Sequence, residues 1–319
     1  MDILSILLRY SQKRKYLTRQ ITLKEKIKKF FFKKKIILSN KSNPDFLIIG
    51  LQKSGSSWLS EIFQIKGYIG IINEMHFFDS MIDKNIFFHR FKNHNSKIIK
   101  SIAYKSLESK HLNLHEDKSF SDLALKHYQN YIFEVKKKSD IKYIGEKTTE
   151  YTFFIDYLNK KFPHTKKIVI LRNPKDRIVS RFFHEKRKNR LNDKKISNFF
   201  INSFLVRIDL EYENLLKNKR NVYLLSFENL KKNFYKELKN LFKFLNLNSN
   251  LNIKEIMKKT DLIKLKKKKP NSNFRTGKVG NYYNYIDKEK LICIDKMFFK
   301  KHKKIEKLYK LKLDASYYS

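Results

Sequence analysis

At 319 residues and 41% hydrophobic content the chain can bury the core of one large α/β domain or two small ones, so a globular protein is expected. Its 72 lysines and arginines against 31 acids give a formal charge of +41, which admits nucleic acid, anionic lipid or acidic polymers as partners, although an AT-rich codon bias produces the same lysine-, asparagine- and isoleucine-rich composition. A single cysteine, Cys293, excludes an intrachain disulfide, and no uncharged run approaches the roughly 18 residues of a membrane span, so the expectation is a cytoplasmic protein with neither signal peptide nor membrane anchor.

Residues 1–43 open with MDILSILLRYSQKRK, an apolar patch interrupted by Arg9, and read as a basic helical N-terminal extension able to touch an anionic surface weakly. Residues 44–319 read as one domain. Its first strand is DFLIIG at 45–50, followed by the loop GLQKSGSSW at 50–58 and a helix over 57–65. YIGII at 68–72 is the second strand, and the segment from about 80 to 120, without sheet signal, is an insertion of helices and loops. A helix over 121–138, a strand KYIG at 142–145 and a helix over 151–161 come next. KKIVILR at 166–172 is the fourth strand, and Pro174 opens a helix over 175–190. Then come a helix over 197–218, the strand NVYLLSF at 221–227 and a helix over 231–245. KLKKKKPNSN at 264–273 reads as a polar linker, and a last helix covers 287–312. Short buried strands alternating with helices predict a central parallel sheet flanked by helices.

The loop after the first strand keeps the glycine spacing of a phosphate-binding P-loop at Gly50 and Gly55, but the lysine that should follow the second glycine has moved back to Lys53. A strand-to-helix loop aims backbone N–H groups and the positive end of the helix dipole at one anion. Gly55 allows close backbone approach, Ser56 and Ser57 add hydroxyls, and Lys53 adds a full charge near the bridging oxygen of a phosphoester. The candidate strands end at Gly145, Arg172 and Phe227, so none supplies the aspartate that holds magnesium in a P-loop kinase, and no metal is expected. The second element is KIVILRNPKDRIVSRFFHEKR at 167–187. There Arg172 at a strand end and Ser180 in the following helix can meet one phosphate, although a helix this basic, taken alone, reads as a solvated face. Two phosphate sites on adjacent strand ends suit a nucleotide phosphorylated at both its 5′ and 3′ positions.

QKSGSSW at 52–58 is similar to the 5′-phosphosulfate loop of the sulfotransferases, whose donor is 3′-phosphoadenosine-5′-phosphosulfate (PAPS); RNPKDRIVS at 172–180 matches their 3′-phosphate element, and RTGKVGNYY at 275–283 resembles their late loop. The resemblance implies a P-loop-like sulfotransferase fold without a metal. It implies donor binding by Gln52, Lys53, Ser54, Gly55, Ser56, Ser57 and Trp58, with Trp58 stacked on adenine, and by Arg172, Ser180, Arg275, Thr276 and Gly277. NEMHFFD at 73–79 and GEKTTEY at 145–151 further resemble the heparan sulfate sulfotransferases and their bacterial relatives. That branch implies Glu74 as base, Lys147 in the active site and a sugar or oligosaccharide acceptor. Thr149 stands where the branch has proline, and the late loop is closer to the small-molecule sulfotransferases.

From chemistry alone both Glu74 and His76 can take the acceptor's proton: histidine has the intrinsic pKa nearer neutrality, and Phe77 and Phe78 can desolvate the glutamate. The choice stays open. In sulfuryl transfer, charge grows on the departing 5′-phosphate, which explains a lysine at position 53. A metal-dependent kinase or nucleotide hydrolase and a polybasic nucleic-acid-binding protein are the competing readings. The second rests on charge alone, and no specific nucleic-acid partner is expected.

Overall fold

The computed structural model describes residues 43–65, 68–74, 118–139, 141–247, 251–268 and 277–318. The N-terminal extension up to residue 42, most of the 80–120 insertion, and His76, Arg275 and Thr276 therefore lie outside the described residues.

All five expected strands are present: β1 (Phe46–Gly50), β2 (Ile69–Asn73), β3 (Tyr143–Lys147), β4 (Lys166–Leu171) and β5 (Val222–Ser226). They form one parallel sheet in the order β2-β3-β1-β4-β5. Because side chains alternate across a strand, Phe46, Ile48, Ile168 and Ile170 pack into a core on one face, and Leu47, Ile49, Val169 and Leu171 into a second core on the other. Buried on both sides, these strands read as continuous apolar runs. The connection leaving β1 runs to one edge of the sheet and that leaving β4 to the other, so a crevice opens between their carboxyl ends.

Helices α1 (Ser56–Phe63) and α4 (Pro174–Arg187) border that crevice, and α5 (Asn198–Lys217) packs against α4. Helices α2 (Lys118–Lys138) and α3 (Ile155–Lys161) precede α4 in the chain. Pro174 occupies the first turn of α4 and the Asn173 side chain accepts from Lys175 N–H, a sequence-encoded cap. The first two turns of α4 are not a solvated face: Lys175, Asp176 and Arg177 are buried, each with a charged partner.

Three expectations need correction. The helix expected over 151–161 begins as a 3₁₀ turn, Thr149–Phe154, before α3. The helix expected over 231–245 is two helices, α6 (Phe227–Lys232) and α7 (Phe234–Leu245), broken at Asn233. The supposed linker is helical in its first half: after α8 (Ile253–Lys259), α9 (Leu262–Lys268) buries Leu265 among its lysines. The final helix, α10 (Lys288–Tyr309), is as expected, and among the described residues no helix is long and apolar enough to cross a membrane.

Candidate active site

The loop between β1 and α1 is closed by Leu51 N–H to the Ile170 carbonyl at 3.0 Å and Ser54 N–H to the Leu51 carbonyl at 3.3 Å. No side chain caps α1, so its first N–H groups keep the loop suited to an anion. Gly55 is required twice over: its φ is 101°, and a Cβ there would lie 2.6 Å from the Phe227 ring. Lys53 has no such freedom yet sits at φ 63°, and Glu74, at the end of β2, sits at φ 52°. Left-handed backbone at a non-glycine residue costs about 1–3 kcal/mol and persists where the surroundings enforce it.

Arg172 leaves the end of β4 almost fully buried. Its guanidinium lies 4.5 Å from the Phe227 ring centre, and its Nη2 donates to the Lys278 carbonyl at 2.9 Å. Its Nε is buried without a hydrogen-bond partner among the described residues, a donor held ready for an oxygen. The late loop is fastened beside it: Gly280 N–H donates to Asp176 at 3.0 Å and Lys231 Nζ to the Gly277 carbonyl at 2.6 Å.

These elements converge on a cavity of about 300 Å³ whose lining includes Lys53, Ser56, Ser57, Arg172, Ser180 and Gly277. Gln52 and Gly55 line it as well. Ser54 does not; its hydroxyl is buried without a partner among the described residues. Trp58 reaches the cavity from a mostly buried position, with its indole N–H on the Thr260 carbonyl at 2.8 Å and its ring edge-on to Phe227.

Glu74 lines the same cavity, while its N–H donates to the Lys147 carbonyl at 2.7 Å and its carboxylate pairs with Lys147 Nζ. The glutamate side chain is 40% exposed and the lysine 5%, so an ammonium partner, and not desolvation, is what the described residues supply to Glu74. Strand β3 runs two residues past its expected end and carries Glu146. That carboxylate accepts hydroxyls from Tyr128, Tyr151 and Thr148, and it does not line the cavity.

Burial, reinforced by Arg181 and Arg187, lowers the Lys53 pKa to about 7, far below that of a solvated lysine. His184, also in the lining, is lowered to about 4 by burial and then by Lys53 and Arg181, and is neutral. Sequence reasoning passed over Arg181, His184 and Glu150, all in the lining. The signal for His184 was its place one turn beyond Ser180, on the same face of α4.

The sequence profile of the sulfotransferase domain family matches residues 43–308. No curated protein sequence matches the chain. Among solved structures, a sulfotransferase from Alicyclobacillus acidocaldarius is similar with a TM-score of 0.52 at 16% identity, covering 86% of this chain and 98% of that one. Mouse sulfotransferase SULT7A1, complexed with PAP, aligns with a TM-score of 0.48 at 22% identity over 81% of this chain and 83% of its own. The first shows a shared fold, and the profile, spanning most of the chain, shows the lineage: the protein belongs to the sulfotransferase family.

Proposed function

We propose that the protein transfers the sulfuryl group of PAPS to a hydroxyl or amino group of a sugar or oligosaccharide. One observation carries the donor: the Lys53 loop and the Arg172–Ser180 pair, read as a 5′ and a 3′ phosphate site, line one cavity. The unpartnered Arg172 Nε fits a phosphate oxygen there. In the reaction the acceptor oxygen attacks sulfur, the bond from sulfur to the 5′-phosphate oxygen breaks, and the acceptor's proton must leave. Lys53 and the α1 N-terminus stabilise the charge growing on that phosphate. Glu74 takes the proton, with Lys147 holding its carboxylate in place. Sulfate carries less charge than a terminal phosphate, so these groups suffice without a metal.

The saccharide reading rests on the NEMHFFD and GEKTTEY resemblance and on the cavity's two characters. Its apolar lining, Trp58, Phe227 and Leu262, comes from the α1, α6 and α9 side and suits a purine. The rest of the lining includes Thr149, Glu150, Arg181 and His184, polar groups that suit hydroxyls better than a phenol or steroid ring. A cytoplasmic location goes with this reading, since the single cysteine needs no oxidising compartment.

PAP, the desulfated product, is expected to raise the thermal midpoint by about 5 °C or more at a hundredfold excess over its Kd, and ATP with Mg²⁺ much less. Equal stabilisation by ATP would overturn the donor assignment. Labelled PAPS offered with saccharides, phenols and tyrosine peptides tests the acceptor: label passing to phenols or peptides and not to saccharides would overturn that half of the proposal.

A pH dependence follows from Lys53. A bound phosphate favours the ammonium form, so PAP affinity is full below pH 7 and falls as pH rises through and above about 7, by up to about tenfold per unit until the raised pKa of the complex is passed. Calorimetry between pH 6.5 and 9 measures it. A flat profile would show that Lys53 does not face the phosphate.

A further inference from the structure

A buried chain of charged groups joins two walls of the cavity. It begins at the donor loop, where the Gln52 carbonyl accepts from Arg177 Nε at 2.9 Å. Arg177 is fully buried, and its guanidinium pairs with Glu211 of α5, also fully buried. The other Glu211 oxygen accepts from Arg207 Nε at 3.0 Å, one turn earlier on α5, and Arg207 Nη2 lies 3.4 Å from Glu150 in the cavity wall. One buried carboxylate thus serves two guanidiniums. Such an arrangement fixes geometry firmly, because removing one member leaves another charge buried and uncompensated. What it fixes at its near end is the residue before Lys53, whose left-handed backbone needs enforcement.

We infer that Arg207 is a positioning residue for the donor loop. By holding Glu211, and through it Arg177, it fixes the Gln52 carbonyl and hence the direction of Lys53. A side chain outside the cavity lining then sets the affinity for the donor's 5′-phosphate. This inference rests on the donor reading above.

The test is calorimetric binding of PAP to the full-length protein across pH 6.5–9, with the thermal midpoint of each variant recorded. Arg207→Gln should weaken PAP by about tenfold, the factor carried by one charge-assisted hydrogen bond. It should also shift the pH at which affinity begins to fall. Arg207 acts on the cavity cation Arg181, as Arg190 does, so a profile that shifts in Arg207→Gln and not in the Arg190→Gln control reports a moved loop, which a general loss of stability would not produce. Arg207→Lys keeps the charge but offers one ammonium to two carboxylates, and should weaken PAP by about threefold. Arg190→Gln removes an equal charge acting on Arg181 and His184 but touches no member of the chain, and should stay within about twofold. Unchanged affinity in the Arg207 variants, a loss without a shifted profile, or an equal loss in Arg190→Gln overturns the inference. If Arg207→Gln does not fold, Arg207→Lys decides. Failure of the unmodified protein to bind PAP overturns the donor reading instead.

Discussion

Lys53→Ala is expected to lower kcat by about 10²- to 10³-fold while weakening binding of PAPS, whose bridging oxygen does not yet carry the leaving-group charge, far less, the pattern for a lost group that stabilises charge appearing in the transition state. The ammonium is held where a P-loop kinase has none, in a buried position where burial and Arg181 lower its pKa to about 7. It is therefore poorly satisfied until negative charge arrives, and the departing phosphate gains the most negative charge as the bond to sulfur breaks. The loss in kcat should be accompanied by loss of the pH dependence of PAP affinity described above. If Lys53→Ala altered only KM, its role at the leaving oxygen would be wrong and the loop would be a binding element alone.

Glu74→Gln should reduce kcat by about 10²- to 10⁴-fold with PAP affinity nearly unchanged, since glutamine keeps the shape and hydrogen bonding of the carboxylate but cannot accept a proton. The pairing with Lys147 sharpens this expectation: the variant leaves a nearly buried ammonium without its anion, so a modest fall in thermal midpoint should accompany the kinetic effect. Histidine at position 76 remains the alternative base from sequence reasoning. His76→Asn is the comparison, and a dead His76→Asn beside a Glu74→Gln that retains most of its turnover would reverse the two roles.

The strands were legible because each is buried on both faces and therefore written in consecutive apolar residues, and the donor loop because its glycines are irreplaceable. Sheet order was not legible, since nothing local says which strand β1 will pair with. Strand β3 was cut short for a different reason: Glu146 and Lys147 end the hydrophobic run, yet both are buried and satisfied by partners distant in sequence, Tyr128 and Glu74 among them. The α9 helix was missed because Leu262 and Leu265, three apart, are its inward-facing residues in a run of lysines. Arg177 escaped notice because a charged residue in a basic helix reads as solvated. Only the fold shows that its guanidinium is enclosed by a carbonyl, a carboxylate and the Phe204 ring.

The left-handed backbone at Lys53 and Glu74 sets foldability against chemistry. Glycine would relax either position, and asparagine would be more comfortable there than lysine or glutamate. A screen for thermal stability alone would thus enrich replacements at Lys53, the position assigned to leaving-group stabilisation, whereas at Glu74 the ion pair with Lys147 opposes them. Sequences optimised for expression or heat resistance would drift toward well-folded proteins that bind nucleotide and turn nothing over.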